Sequence, residues 1–191
     1  MRLFVAVEVP PAIRDDLAAL VSELHALESR SSANKLRWVR PENLHVTLRF
    51  IGSVPPEKLD VICAELSRVR SDRPVELRFR GLGFFPSAKR PRVLWADMAA
   101  SPNLAAIAGD IDKRLAKLEI PAEERALTPH LTLARCERSG ISPALHAAVE
   151  KNAAREFGEL RTNKFHLIES NLKPSGAEYT TLQSFVFAAE A

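Results

Sequence analysis

The tetrapeptide His-apolar-Thr-Leu occurs twice in this 191-residue chain, as His45-Val46-Thr47-Leu48 and again, 85 residues later, as His130-Leu131-Thr132-Leu133. Each copy fits a β-strand, where side chains i and i+2 share a face. His45 then projects with Thr47 while Val46 and Leu48 enter an apolar layer, and His130 and Thr132 repeat the arrangement. With only five histidines and six threonines in the chain, two such coincidences are hard to attribute to composition. The fold therefore has to offer two equivalent strands, each presenting an imidazole and a hydroxyl on one face.

The surrounding pattern supplies them. Leu3 to Val9 alternates as a strand and is closed by Pro10 and Pro11, and Ile13, Leu17, Leu20, Val21 and Leu24 follow at helical spacing. Leu36 to Val39 and His45 to Ile51 read as strands, then a helix carries Leu59, Ile62, Cys63, Leu66 and Val69. Val75, Leu77 and Phe79 alternate with charged residues. After a turn-rich stretch from Gly81 to Pro91, Arg92 to Met98 forms the next strand. The second half reuses Arg92 to Met98 as its opening strand. It continues with a helix on Leu104, Ile107, Ile111, Leu115 and Leu118, the strand His130 to Ala134 and a helix from about Pro143 to Arg155. Two strands, Phe165 to Ser170 and Tyr179 to Phe187, complete it. Phe79 to Phe165 and Val93 to Tyr179 keep nearly the same offset as the two histidines, so residues 1–191 read as one two-lobed domain with an internal repeat of about 85 residues.

Composition narrows the class. At 46% hydrophobic and 27% charged, the chain can bury a core, and no apolar run approaches the roughly 20 residues that span a bilayer. The opening MRLFVAVEVPP reads as a strand rather than a signal peptide, because Glu8 interrupts it, and the expected location is the cytoplasm. Cys63 and Cys136 have no ligand spacing around them, which argues against a disulfide scaffold or a zinc ribbon.

Two facing imidazoles suit acid–base chemistry, because an unperturbed histidine titrates near about 6.5 and one ring can be neutral while the other is charged. Two threonine hydroxyls can donate to anionic oxygens. A phosphate is the natural target: one histidine takes a proton from the nucleophile, the other gives one to the leaving oxygen, and the threonines hold the non-bridging oxygens. Histidine is also a common metal ligand, so a metal site is the competing reading, but it lacks a third and fourth ligand. His25 and His146 fall on helices, and His166 lies in a strand with no carboxylate motif beside it. No Walker-type glycine loop occurs.

The two motifs, with MRLFVAVEVP, WVRPENLHVTLRFIG, GLGFFPSAKRPRVLWADM, LTPHLTLAR and ESNLKPSGAEYTTLQSF, resemble RNA 2′,3′-cyclic phosphodiesterases, also called 2′-5′ RNA ligases, of the two-histidine (2H) phosphoesterase superfamily. The resemblance runs nearly end to end. It implies a bilobal α+β fold in which each lobe has an antiparallel sheet with outer helices, and an active-site groove between them. It also implies hydrolysis of RNA 2′,3′-cyclic phosphate to 2′-phosphate without metal or other cofactor, and reversible 2′-5′ joining without ATP. His45 would be the proton donor to O3′ and His130 the proton acceptor from water, with a near-symmetric site leaving that order open. Thr47, Thr132 and Arg135 would bind the phosphate. Strict alternation puts Arg135 on the face opposite His130, so its role requires the strand to end or bulge there. Arg49, in contrast, shares the His45 face by parity. Ala126-Leu127-Thr128, before Pro129, departs from the aromatic expected in this family.

The alternatives are a 2H enzyme for small cyclic nucleotides or 2′-5′ oligonucleotides, and a non-catalytic RNA-binding module. Only 6% of residues are aromatic, and no strand has the clustered rings of an RRM-type sheet, which counts against the module. The expected partner is an RNA end or oligonucleotide with a 2′,3′-cyclic phosphate, met by a monomer. The net charge of +3 is local: residues 68–92 hold eight Lys/Arg and two acids, and Ser87 to Arg92 is expected at the mouth of the groove.

Overall fold

The computed structural model describes residues 1–29, 36–123, 127–136, 140–174 and 176–189. Alternation at the N-terminus becomes β1 (Arg2–Glu8), whose Leu3, Val5 and Val7 join the main core while Phe4 and Ala6 occupy the other face. Pro11 then starts α1 (Pro11–Ser29) in the first turn, where a missing N–H costs nothing, and one stripe buries Ile13, Leu17, Leu20 and Leu24. The order continues β2 (Leu36–Trp38), β3 (His45–Ser53), α2 (Leu59–Leu66), β4 (Val75–Phe85), β5 (Val93–Ala100) and α3 (Asn103–Ala116). It ends with β6 (His130–Cys136), α4 (Pro143–Lys151), β7 (Glu156–Thr162), β8 (Lys164–Lys173) and β9 (Gly176–Val186). Among the described residues, no helix is long and apolar enough to cross a membrane.

These elements make an α+β fold of two antiparallel sheets, ordered β3-β1-β8-β9 and β2-β6-β5-β4-β7. Neither sheet is one half of the chain. The C-terminal hairpin β8–β9 completes the sheet that carries β3, and the central hairpin β4–β5 sits beside β6. The helices cross over as well: α1 packs on α4 and β7, and α3 packs on α2 and β3. An ion pair between Asp16 and Arg155, 2.7 Å long, ties α1 to the start of β7.

Three details depart from the sequence reading. Strand β7 is absent from it, because Gly158 and alternating charge hide Phe157, the strand's one buried side chain. Strand β4 runs on to Phe85 through a segment whose composition suggests turns. Gly81 makes this possible: its φ of +87° lies where a β-carbon is strained, and a β-carbon would meet the Ala153 carbonyl oxygen at 2.5 Å. The helix expected to reach Arg155 stops at Lys151, and Asn152 caps it.

Candidate active site

The two motifs occupy equivalent strands, β3 and β6, and each carries the same irregularity. Opposite β1, Ala6 pairs with Thr47 and Val5 with Arg49, which leaves Leu48 as an extra residue. Opposite β5, Trp95 pairs with Thr132 and Leu94 with Ala134, which leaves Leu133 extra. A bulge at the motif leucine reverses the alternation beyond it. The residue four places after each histidine therefore turns into the core, and the residue five places after it returns to the histidine face. Arg49 and Ala134 are accordingly buried, whereas Phe50 and Arg135 are exposed.

The bulge brings Arg135 onto the face of His130 and Thr132, which meets the condition its phosphate role required. It also overturns the parity reading of Arg49. That side chain is 6% exposed and turned inward, with Nε 2.6 Å from Asp112 Oδ1 on α3 and further bonds to the carbonyls of Phe50 and Pro121. Arg49 is a cross-link between β3 and the segment around α3.

Both histidines are held in the same way. His45 Nδ1 lies 2.6 Å from the carbonyl of Asn43, and His130 Nδ1 lies 2.7 Å from that of Thr128. A carbonyl only accepts, so each Nδ1 carries the proton, and in the neutral ring each Nε2 keeps its lone pair. Asn43 is itself pinned, its side-chain amide donating to the Ala177 carbonyl at 2.7 Å across the start of β9. Each strand thus delivers an aimed imidazole, with a hydroxyl two residues on.

Aromatic side chains that the motifs do not announce frame both rings. Phe4 lies 4.7 Å from His45, and Tyr179 meets it edge-on at 5.2 Å. With Ala6 and Ile168 they form a small apolar cluster separate from the main core. Phe85 meets His130 edge-on at 5.2 Å. The even positions of β1 and the step of five after His45, to Phe50, are the signals available for two of these residues. Tyr179 and Phe85 come from distant strands and have none.

Burial pushes His45 below the ordinary 6.5; its hydrogen bond to Asn43 pulls it back up, and the charges of His130 and Arg135 push it down again. Because the folded value is depressed, this ring's contribution to stability is full above 6.5 and is lost as pH falls through the folded value. Arg135→Met is expected to raise the His45 midpoint, followed by the imidazole resonances in NMR titration; an unchanged midpoint would mean that the guanidinium does not act on this ring.

Among the described residues, no group of three or more His, Cys, Asp or Glu is placed to hold a metal ion. His25 packs against Trp38, and His146 lies on α4 near Glu150. His166 is buried beside the Ser184 hydroxyl at 2.8 Å, and the fold does bring a carboxylate near it, Glu8 at 3.9 Å. The basic segment divides. Arg68 pairs with Glu65 and Arg78 with Glu159, while Lys89, Arg90 and Arg92 lie in the exposed connection from Phe85 to Val93, at the Arg135 end of the site. Ala126 lies outside the described residues.

The family model for LigT-like phosphoesterases matches residues 7–95 and 97–179, one histidine motif in each span. An Archaeoglobus fulgidus protein named RNA 2′,3′-cyclic phosphodiesterase is 36% identical over 97% of this chain and 99% of its own length. Among solved structures, one from Thermus thermophilus superimposes with a TM-score of 0.74 at 31% identity, covering 98% of each chain. E. coli LigT complexed with 3′-AMP gives a TM-score of 0.76 at 25% identity, covering 97% of each chain.

Proposed function

The chain belongs to the LigT-like phosphoesterase family, and we propose that it opens RNA 2′,3′-cyclic phosphate ends to 2′-phosphates by metal-independent acid–base catalysis between His45 and His130. The observation that carries this reading is the duplicated bulged strand, which presents a carbonyl-anchored imidazole, a threonine and a fifth-position side chain twice, near enough that the charges of His130 and Arg135 act on His45. Both neutral rings have a lone pair on Nε2. His130 acts in this neutral form and takes the proton of the attacking water, whereas His45 must first take up a second proton, on Nε2, and as imidazolium gives it to O3′ as the P–O3′ bond breaks. An anionic phosphodiester between the rings favours imidazolium and so offsets the depression of His45 in the free site. Thr47, Thr132 and Arg135 hold the non-bridging oxygens, where charge builds as the fifth oxygen arrives.

The same steps run with a 5′-hydroxyl in place of water make a 2′-5′ linkage without ATP, and in reverse they cleave one. Residues 1–191 act as one bilobal unit, since strands from both halves of the chain build each sheet. The partner is an RNA end rather than a free cyclic mononucleotide, because three exposed cations extend the site beyond the phosphate.

The test is incubation with an RNA ending in 2′,3′-cyclic phosphate, in EDTA and without nucleoside triphosphate. A 2′-phosphate product is expected; undiminished cyclic phosphate, or a 3′-phosphate, would overturn the reading. Thr47→Ala and Thr132→Ala should each lower turnover by about ten- to a thousandfold, the range for removing one donor to a developing oxyanion.

A further inference from the structure

Each histidine has a ring standing edge-on to it at the same distance, Tyr179 to His45 and Phe85 to His130, with 5.2 Å between centroids in both pairs. The two sides match in that contact and differ in one group: only the ring beside His45 carries a hydroxyl. Packing and a backbone tie fix Tyr179 in place. Its ring meets Phe4 edge-on at 5.0 Å, and two residues before it the Ala177 carbonyl accepts the Asn43 side-chain amide at 2.7 Å. The carbonyl of the same Asn43 holds His45 Nδ1, so ring and imidazole hang from one residue. Tyr179 is half-buried, and its hydroxyl makes no hydrogen bond among the described residues. Burial pushes the phenol above its ordinary 10, while the charges of Arg135, on β6 of the other sheet, and of Arg2, at the start of β1, pull it down.

A protonated phenol acted on by two guanidinium charges, with no acceptor of its own among the described residues, is matched by an anionic oxygen. At a cyclic-phosphate end the anion is the phosphate, since ribose and base are neutral. We infer that the Tyr179 hydroxyl is a further catalytic donor, bonding a non-bridging oxygen of the phosphate on the His45 side and sharing that oxygen's charge with Arg135. This rests on the proposed reading of the site as a cyclic phosphodiesterase and adds a residue to it. The proton stays on the phenol, and no covalent bond to Tyr179 forms or breaks. As water arrives beside His130 and O3′ departs beside His45, negative charge gathers on the non-bridging oxygens. A donor already fixed in place stabilises that state more than it stabilises the bound substrate. Phe85, at the matching place, has nothing to donate, so the two ends of a near-symmetric site are not equivalent.

The test compares the original protein with Tyr179→Phe, which keeps the ring against His45 and Phe4 and removes only the hydroxyl, on an RNA ending in 2′,3′-cyclic phosphate. In the variant kcat should fall about ten- to a hundredfold while KM changes less than about threefold, the pattern of a bond that strengthens in the transition state. An unchanged kcat would overturn the inference. So would a loss confined to KM, which marks a contact made equally with the bound substrate. An original protein that leaves the cyclic phosphate intact would bring down the phosphodiesterase reading, and a second readout then decides the inference without turnover. The vanadate complex that a nucleoside forms through its 2′- and 3′-oxygens gathers five oxygens about one centre, as the displacement does. It should bind Tyr179→Phe about ten- to a hundredfold more weakly than the original protein, while a nucleoside 2′-phosphate binds both alike. Equal affinity of the vanadate complex for the two proteins, an equal loss for both ligands, or no binding to either protein would overturn the inference.

Discussion

Replacing either motif histidine with alanine is expected to lower turnover of a cyclic-phosphate RNA end by about two to four orders of magnitude, the usual contribution of a positioned general acid or base. The fold should survive, because neither ring belongs to the main core and, among the described residues, the hydrogen bond of each is to a carbonyl two residues earlier in the same chain. The double variant should lose little more than the worse single one, since breaking either proton transfer disables the pair as a unit. Single-turnover rates on one RNA, with circular dichroism as a check on folding, decide the matter. Near-normal turnover in either single variant would exclude paired acid–base catalysis.

The second large effect separates two arginines whose places in the sequence look interchangeable. Arg135→Ala should cost on the order of a hundredfold in turnover with stability unchanged, because its guanidinium is exposed, acts by its charge on His45, and is expected to meet developing charge on the phosphate. Arg49→Ala should do the opposite. Its guanidinium is buried, and removing it takes the donor from the half-buried Asp112 carboxylate and from the carbonyls of Phe50 and Pro121, a loss of about 2 kcal/mol. Urea midpoints and kcat of the folded protein, measured for both variants, should show the effects exchanged between them. A stability loss in Arg135→Ala with normal kcat would place that side chain in the scaffold instead.

The site is readable from the sequence to an unequal depth. His45, Thr47, His130 and Thr132 stand within the span over which two-residue alternation holds, so their common face follows from spacing alone. One residue further, at Leu48 and Leu133, the alternation fails, because an extra residue is accommodated only against a partner strand that the local sequence does not contain. That single step sends Arg49 into the core and turns Arg135 and Phe50 onto the histidine face. Strand β7 is hidden for a related reason, since most of its side chains stay exposed and its pairing with β4 supplies what its pattern lacks.

The amino-acid sequence determined, by itself, that two like strands exist, that each pairs an imidazole with a hydroxyl, and that helices with apolar stripes cover them. Those are properties of backbone geometry within a few residues. Only the tertiary structure decided which hairpin joins which sheet, that both Nδ1 atoms are bound to carbonyls, and which aromatic rings stand against each histidine. Tyr179 reaches His45 across 134 residues of chain, and Phe85 reaches His130 across 45. Contacts at that separation are set by how hydrogen-bonded sheets twist and bury their apolar faces together, a property of the packed molecule that no local run of residues carries.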